Sequence, residues 1–224
     1  MIPRAAREAW AFRARVEREA TLRFARLASE IAAFDPESPV PALMRRASDD
    51  ERRHALLCAE LAGEQRSPVH QDARIAPRSL DARAAALYET VAACCITETE
   101  SVATVASLLA QDAEPRVREV LHEIARDEVG HSRMGWAHLA REAAAIDVGF
   151  LAGWIPQMLS GTVGPELFAP AIDEPDLLRF GVLPGSRKRE IFVQTLLDVV
   201  FPGFEQFGVD TCAAREWLQV RTGR

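Results

Sequence analysis

Residues 49–54 read DDERRH and residues 126–131 read RDEVGH. Each stretch holds Asp-Glu-x-x-His, and the two begin 77 positions apart. On a helix, residues three apart are neighbours on one face, because each residue turns the chain by about 100°. A single Glu-x-x-His is an ordinary exposed pair. Two copies in one chain pose a choice between chance in a charged helical protein and two half-sites that meet around metal.

The surrounding chain is helical in pattern. Alanine, leucine, arginine and glutamate dominate the first 145 residues, and apolar positions recur at a helical period. A first helix is expected from about Arg4 to Phe34, ending before Asp35-Pro36. A second starts near Pro39–Pro41 and stops at Gly63. Residues 64–76 read as a loop. A third helix runs from near Ser79 to about Ala110, and a fourth, with Asp112 as N-cap and Pro115 in its first turn, to about Ala145. Four long helices with one longer connection predict an up-down bundle. From about 146 to 224 glycines, prolines and aromatics increase. SRKREIFVQTLLDVVFPGFEQFG reads as one amphipathic helix bent or ended near Pro202-Gly203, and VDTCAAREWLQV as a short final helix. The expectation is a single all-α domain: a four-helix bundle over about 4–145 with C-terminal helices capping it.

Composition narrows the functions. The net charge is −6 with arginines and acids interspersed, whereas a nucleic-acid-binding face needs a basic stripe. No run of 18 or more apolar residues marks a membrane span. The charged N-terminus lacks an apolar leader core, so a cytoplasmic location is expected. Cys58, Cys94, Cys95 and Cys212 form no C-x-x-C pair, which removes zinc ribbons and redox dithiols. They read as small buried apolar residues.

Helical spacing then sorts the acids by direction. Leu80, Leu87, Val91, Cys95, Val102, Val105 and Leu109 form one stripe, and Glu98 lies on it where a leucine would be expected. Glu100 points about 160° away, toward solvent. On the fourth helix Val117, Leu121, Ile124, Glu128, His131 and Gly135 share a stripe. On the second, Ala47, Glu51, His54, Cys58 and Leu61 do. Ala20, Phe24, Leu27 and Ile31 define the first helix's stripe, and Glu17 lies nearer its centre than Glu19. Buried carboxylates are costly and tend to neutralise. Four of them beside two imidazoles make a poor core unless cations hold them, and four negative charges match two divalent ions.

Glu17, Glu51-x-x-His54, Glu98 and Glu128-x-x-His131 resemble the ligand pattern of the ferritin-like dimetal-carboxylate superfamily, a glutamate from each of two helices and Glu-x-x-His from each of the other two. The resemblance covers about residues 10–145. Within it VEREATLRFARLASE, ASDDERRHALLCAELAG, CCITETESVA and IARDEVGHSRMGW are similar to a little-characterised group of bacterial ferritin-like domain proteins. The resemblance implies Glu17 and Glu98 as terminal ligands and Glu51 and Glu128 as bridges. It implies two metal ions, with iron favoured and manganese or a mixed pair allowed. Zinc also suits such donors on affinity grounds. The reaction is less determined, because one fold hosts many chemistries.

Around this set, Asp50 and Asp127 are read either as a crossed second layer, Asp50 orienting His131 and Asp127 orienting His54, or as solvated surface acids. Cys58 either lines the metal cavity or simply packs. Tyr88 is a weak radical candidate. His138 is a buried or surface histidine, or else a relay or extra ligand. His70 lies in a loop and His122 faces outward. The leading function is a diiron oxidoreductase activating dioxygen or peroxide, with a small organic substrate and an electron donor. Phe150, Trp154, Phe168, Phe180, Phe192, Phe201, Phe204 and Phe207 either enclose its pocket or form the core of the cap. The alternatives are a ferroxidase or peroxide-detoxifying protein and a non-enzymatic metal-binding bundle. A homodimer is compatible with each.

Overall fold

Capping residues set the helix limits. The computed structural model describes residues 2–64, 74–169 and 175–223, so His70 and residues 65–73 of the expected loop lie outside the described residues. Helix α1 (Arg4–Phe34) and α2 (Val40–Ala62) have the expected limits. Gly63 closes α2 in the left-handed region, φ 74°, which only glycine adopts without a Cβ penalty. Helix α3 (Ala82–Thr90) begins later than expected, because the Asp81 carboxylate accepts from the Ala84 N–H at 2.9 Å. Helix α5 (Pro115–Ala143) is capped by Glu114, which accepts from the Val117 N–H at 3.1 Å, and not by Asp112.

The third rod departs most from expectation. Between α3 and α4 (Thr99–Leu109), residues Val91–Glu98 form a π-helix. Two threonine hydroxyls donate to carbonyls five residues back, Thr97 to Ala92 at 3.0 Å and Thr99 to Cys94 at 3.4 Å. The wider turn splits the apolar stripe predicted at a 3.6 period. Leu87, Val91 and Cys95 pack into the core of the cap, whereas Ala86, Ala93 and Cys94 face Phe24 and Met134 inside the bundle. Farther on, Leu108 is the buried leucine, in place of the expected Leu109. This double burial explains why the rod is apolar. By length and hydropathy alone Ala82–Leu109 could cross a membrane, but half of that window is buried in the fold.

Cross-helix contacts give the directions. Ser48 meets Thr21, and Arg18 meets Glu64, so α2 runs against α1. Arg116 meets Glu60, so α5 runs against α2. Arg83 meets Glu142 and Thr99 meets Ser132, so the third rod runs against α5. Arg13 meets Ser101 and Arg26 meets Glu89, so it also runs against α1. Hence α2 and α3 are parallel, and the expected up-down alternation becomes up-down-down-up. Gly63 and Asp81 therefore lie at opposite ends of the bundle, about 39 Å apart along α5 from Arg116 beside Glu60 to Glu142 beside Arg83 at 1.5 Å per residue.

The C-terminal helices cap the bundle as expected. Helices α6 (Ile155–Thr162) and α7 (Gly185–Thr195) are followed by a second π-turn at Leu196–Val200 and by α8 (Phe201–Glu205). The chain thus stays helical through Pro202, whose missing N–H would break a regular α ladder. Helix α9 (Cys212–Thr222) ends the fold. Phe192, Phe201 and Phe204 are buried with Leu87, Val91 and Leu139 of the bundle. Of the expected aromatics, these three form the core of the cap, Phe150, Trp154, Phe168 and Phe207 pack against it half-buried, and Phe180 lies outside that cluster. Tyr88 joins that core, edge-on to Trp154 at 6.3 Å, and contributes to neither Glu/His group.

Candidate metal centre

The middle of the bundle gathers all six acid and imidazole side chains singled out above. Glu51, His54, Glu128 and His131 are at most 4% exposed, and Glu17 and Glu98 are 6% and 7% exposed. Donor atoms of Glu17, Glu51, His54 and Glu128 lie within 4.8 Å of one another, as do those of Glu51, Glu98, Glu128 and His131. Glu51 and Glu128 belong to both groups. Each group adds one further carboxylate and one imidazole. These are two adjacent four-donor clusters sharing two carboxylates, which could hold two metal ions.

The aspartates are crossed between helices. His54 Nε2 lies 3.1 Å from Asp127 Oδ2, and His131 Nε2 lies 3.5 Å from Asp50 Oδ2. Arg53 donates to both aspartates, at 3.0 Å to Asp50. A neutral imidazole that donates from Nε2 presents a bare lone pair at Nδ1. His131 Nδ1 faces Glu51 Oε1 at 2.8 Å, and His54 Nδ1 faces Glu51 Oε2 at 3.4 Å. Although these atoms are close, none of the four is in a hydrogen bond of acceptable geometry, and Glu128 Oε2 is likewise buried and unbonded. Buried polar atoms are nearly always partnered, and a cation placed between these would satisfy them. The donor set fits a dimetal site on that ground.

Protonation tells the same story from the other side. Burial pushes the Glu17 carboxyl well above its usual range, helped by Glu51, and burial and Glu128 do the same to Glu98. Burial opposes the charge on Glu51, but the close approach of His131 and His54 holds its pKa below normal. Burial also opposes a charged His131, yet Glu128 and Glu51 push its pKa up to about 10. The shifts of Glu17 and Glu98 act against the same build-up of negative charge that metal ions would offset.

Three neighbours were not picked out by the sequence reading. Arg13 donates to Glu17 at 2.9 Å and to Ser101 at 3.2 Å, and lies 3.5 Å from Glu128. Ser101 donates to Glu128 Oε1 at 3.2 Å. The i,i+4 spacing of Arg13 and Glu17 was a readable signal for the first, whereas Ser101 and Arg53 are placed by contacts across helices. Cys58 is buried with Trp10, Ala14 and Leu121 and lies outside both donor groups. Glu100 does not face open solvent as expected. It is half-buried, accepts from the Thr104 hydroxyl at 2.7 Å, and lines a cavity. That cavity, about 520 Å³, passes Glu17, Glu98 and Glu128.

His122 is exposed, and His138 is 1% exposed but belongs to neither group. The all-helical bundle, its capping helices and the two Glu/His clusters together define a ferritin-like helical bundle with a candidate dimetal site. No family model, curated protein or solved structure matches the chain, so this class rests on fold and site geometry.

Proposed function

We propose that the chain is a dimetal-carboxylate oxidoreductase, with iron as its metal, that activates dioxygen or peroxide to oxidise a small organic molecule. The observation that carries the reading is the convergence of buried side-chain atoms of Glu51, His54, Glu128 and His131 that lie close together and make no hydrogen bond. Glu17 and His54 would serve one ion, Glu98 and His131 the other, and Glu51 and Glu128 both. Oxygen and imidazole donors suit iron and manganese, and a pair of iron ions would supply the electrons that reduce dioxygen or peroxide. Asp127 and Asp50 accept from Nε2 and so keep each Nδ1 free as a donor. Arg13 steadies Glu17 and Glu128 from the cavity side.

The cavity favours an organic substrate over iron storage or simple peroxide removal, neither of which needs an apolar groove. The test is anaerobic loading with Fe(II), metal analysis, and mixing with oxygen. We expect about two irons per chain, oxygen consumption, and an absorbance change. Glu98→Ala should lose tight binding of the pair. Two irons still bound in that variant would remove Glu98 from the site. A chain that takes up only zinc and ignores oxygen would leave a structural metal as the better reading.

A further inference from the structure

We propose that the cavity beside the acidic cluster binds an apolar molecule carrying one carboxylate, with the carboxylate held by Arg23. The inference rests on the dimetal reading, because the body of that molecule would lie against the proposed metals and be what they oxidise.

The shape comes from two antiparallel walls. Helix α1 lines the cavity from Ala9 to Arg23, 14 residues or about 21 Å at 1.5 Å per residue. The facing wall runs from Ala93 to Leu108. Because the two rods are antiparallel, Ala93 lies toward the Arg23 end and Leu108 toward the Trp10 end. Glu17 and Glu98 sit between these ends. The cavity is thus long, and the acidic cluster opens on its middle.

The two ends differ in chemistry. At one end Trp10, Leu108 and Leu183 are buried in a single apolar cluster. The Trp10 indole N–H is already satisfied by the Phe180 carbonyl at 2.8 Å, so its ring offers only an apolar surface. Along the wall Val16, Ala20 and Ala93 keep the lining apolar and leave space. At the other end stands Arg23, whose Nε is buried without a hydrogen-bond partner. Buried donors are nearly always satisfied, and a guanidinium fork matches a carboxylate.

The other two lining cations, Arg13 and Lys188, are placed differently. Arg13 is occupied by Glu17, Ser101 and Glu128. Lys188, the single lysine of the chain, is exposed at the rim, where its charge acts on Glu100. With the four cluster carboxylates offset by two divalent ions, the remaining lining charges are Arg13, Arg23 and Lys188 against Glu100 and Glu166, or +3 and −2. The balance favours one anionic group, and Arg23 is the lining cation with an unpartnered nitrogen.

The experiment uses protein loaded anaerobically with Fe(II), with metal content measured first. Calorimetric titration then compares decanoate, decanol and decylamine. We expect one decanoate per chain, bound about tenfold or more tighter than decanol, the usual scale for a charged hydrogen bond, with decylamine weakest. Arg23→Gln should bring decanoate down to the decanol level while leaving decanol and metal content unchanged. Ala20→Trp, which fills the groove, should abolish binding of both. Arg52→Gln, on the exposed surface, should bind as the parent does. Decanoate no tighter than decanol, decylamine tightest, or a carboxylate preference that survives Arg23→Gln would each overturn the inference. Two irons per chain with no ligand binding sinks this inference and leaves the metal reading standing. Decanoate binding by a chain that takes up no metal sinks the metal reading, and with it any substrate role for the bound molecule.

Discussion

At the residue scale, the two aspartates beside the Glu-x-x-His glutamates show how little sequence separates a ligand from its support. Asp127 lies 3.1 Å from His54, whereas the Asp50–His131 contact, at 3.5 Å, is at the limit of a hydrogen bond. Asp127→Ala should therefore weaken metal affinity roughly 10–100-fold, the usual cost of losing such a partner. Asp50→Ala should cost less, and titration against a competing chelator reads both. Equal affinities in parent and Asp127→Ala would end the orienting role. His138 behaves differently. Both its ring nitrogens are buried and unpartnered. Burial depresses its pKa, with Glu142 and Asp35 pulling it up and Arg83 and Arg141 pushing it down. The unfolded chain thus binds the proton more readily than the folded one. Stability from this residue is present above its unfolded value, about 6.5, and is lost as pH falls below that. His138→Leu should gain on the parent in urea midpoint as pH is lowered from 8 to 5, and a constant difference would exclude the effect.

At the element scale, the π-helix at Val91–Glu98 sets where the third rod points its side chains. Such turns recur at functional sites, and here one ends at Glu98 itself. The sequence signal was faint, because CCITE fits an α pattern, and the two threonines that satisfy the displaced carbonyls act through their partners. A 3.6 period placed Glu98 inward but assigned Val91 and Cys95 to the same interior, when they face the cap. Gly135 records how closely the rod approaches α5. A Cβ there would lie 2.2 Å from Cys94 Cβ and about 3.1–3.2 Å from its backbone. Gly135→Ala gains ~1 kcal/mol of helix propensity but overpacks a contact whose atoms are not flexible, a cost of about 1–3 kcal/mol and occasionally more. Net destabilisation in chemical denaturation is expected, with partial recovery on adding Cys94→Gly. An unchanged midpoint would mean that the helices separate freely.

At the scale of the whole molecule, the cap and the bundle share one core. Leu87, Val91, Cys95 and Leu139 are buried against Phe192, Phe201, Phe204 and Leu218. Ending the chain after Ile146 would expose that face, so residues 1–146 should aggregate or lack a cooperative transition by circular dichroism. A monomeric, cooperatively folding fragment would show two independent units instead. The same cap supplies one side of the cavity through Thr162–Leu167 and Gly181–Lys188, so cavity and cap are expected to be lost together.

The sequence alone determined the four helical rods, the all-α class and the inward set Glu17, Glu51, His54, Glu98, Glu128 and His131, because helical periodicity and the cost of burying charge are local facts about spacing and residue type. Tertiary structure alone decided that α2 and α3 run parallel, that the third rod carries a π-turn, and that Arg53, Ser101 and Glu100 stand beside the cluster. These depend on which helix lies opposite which, and at what height. Partners dozens of residues apart in the chain meet only after the helices pack.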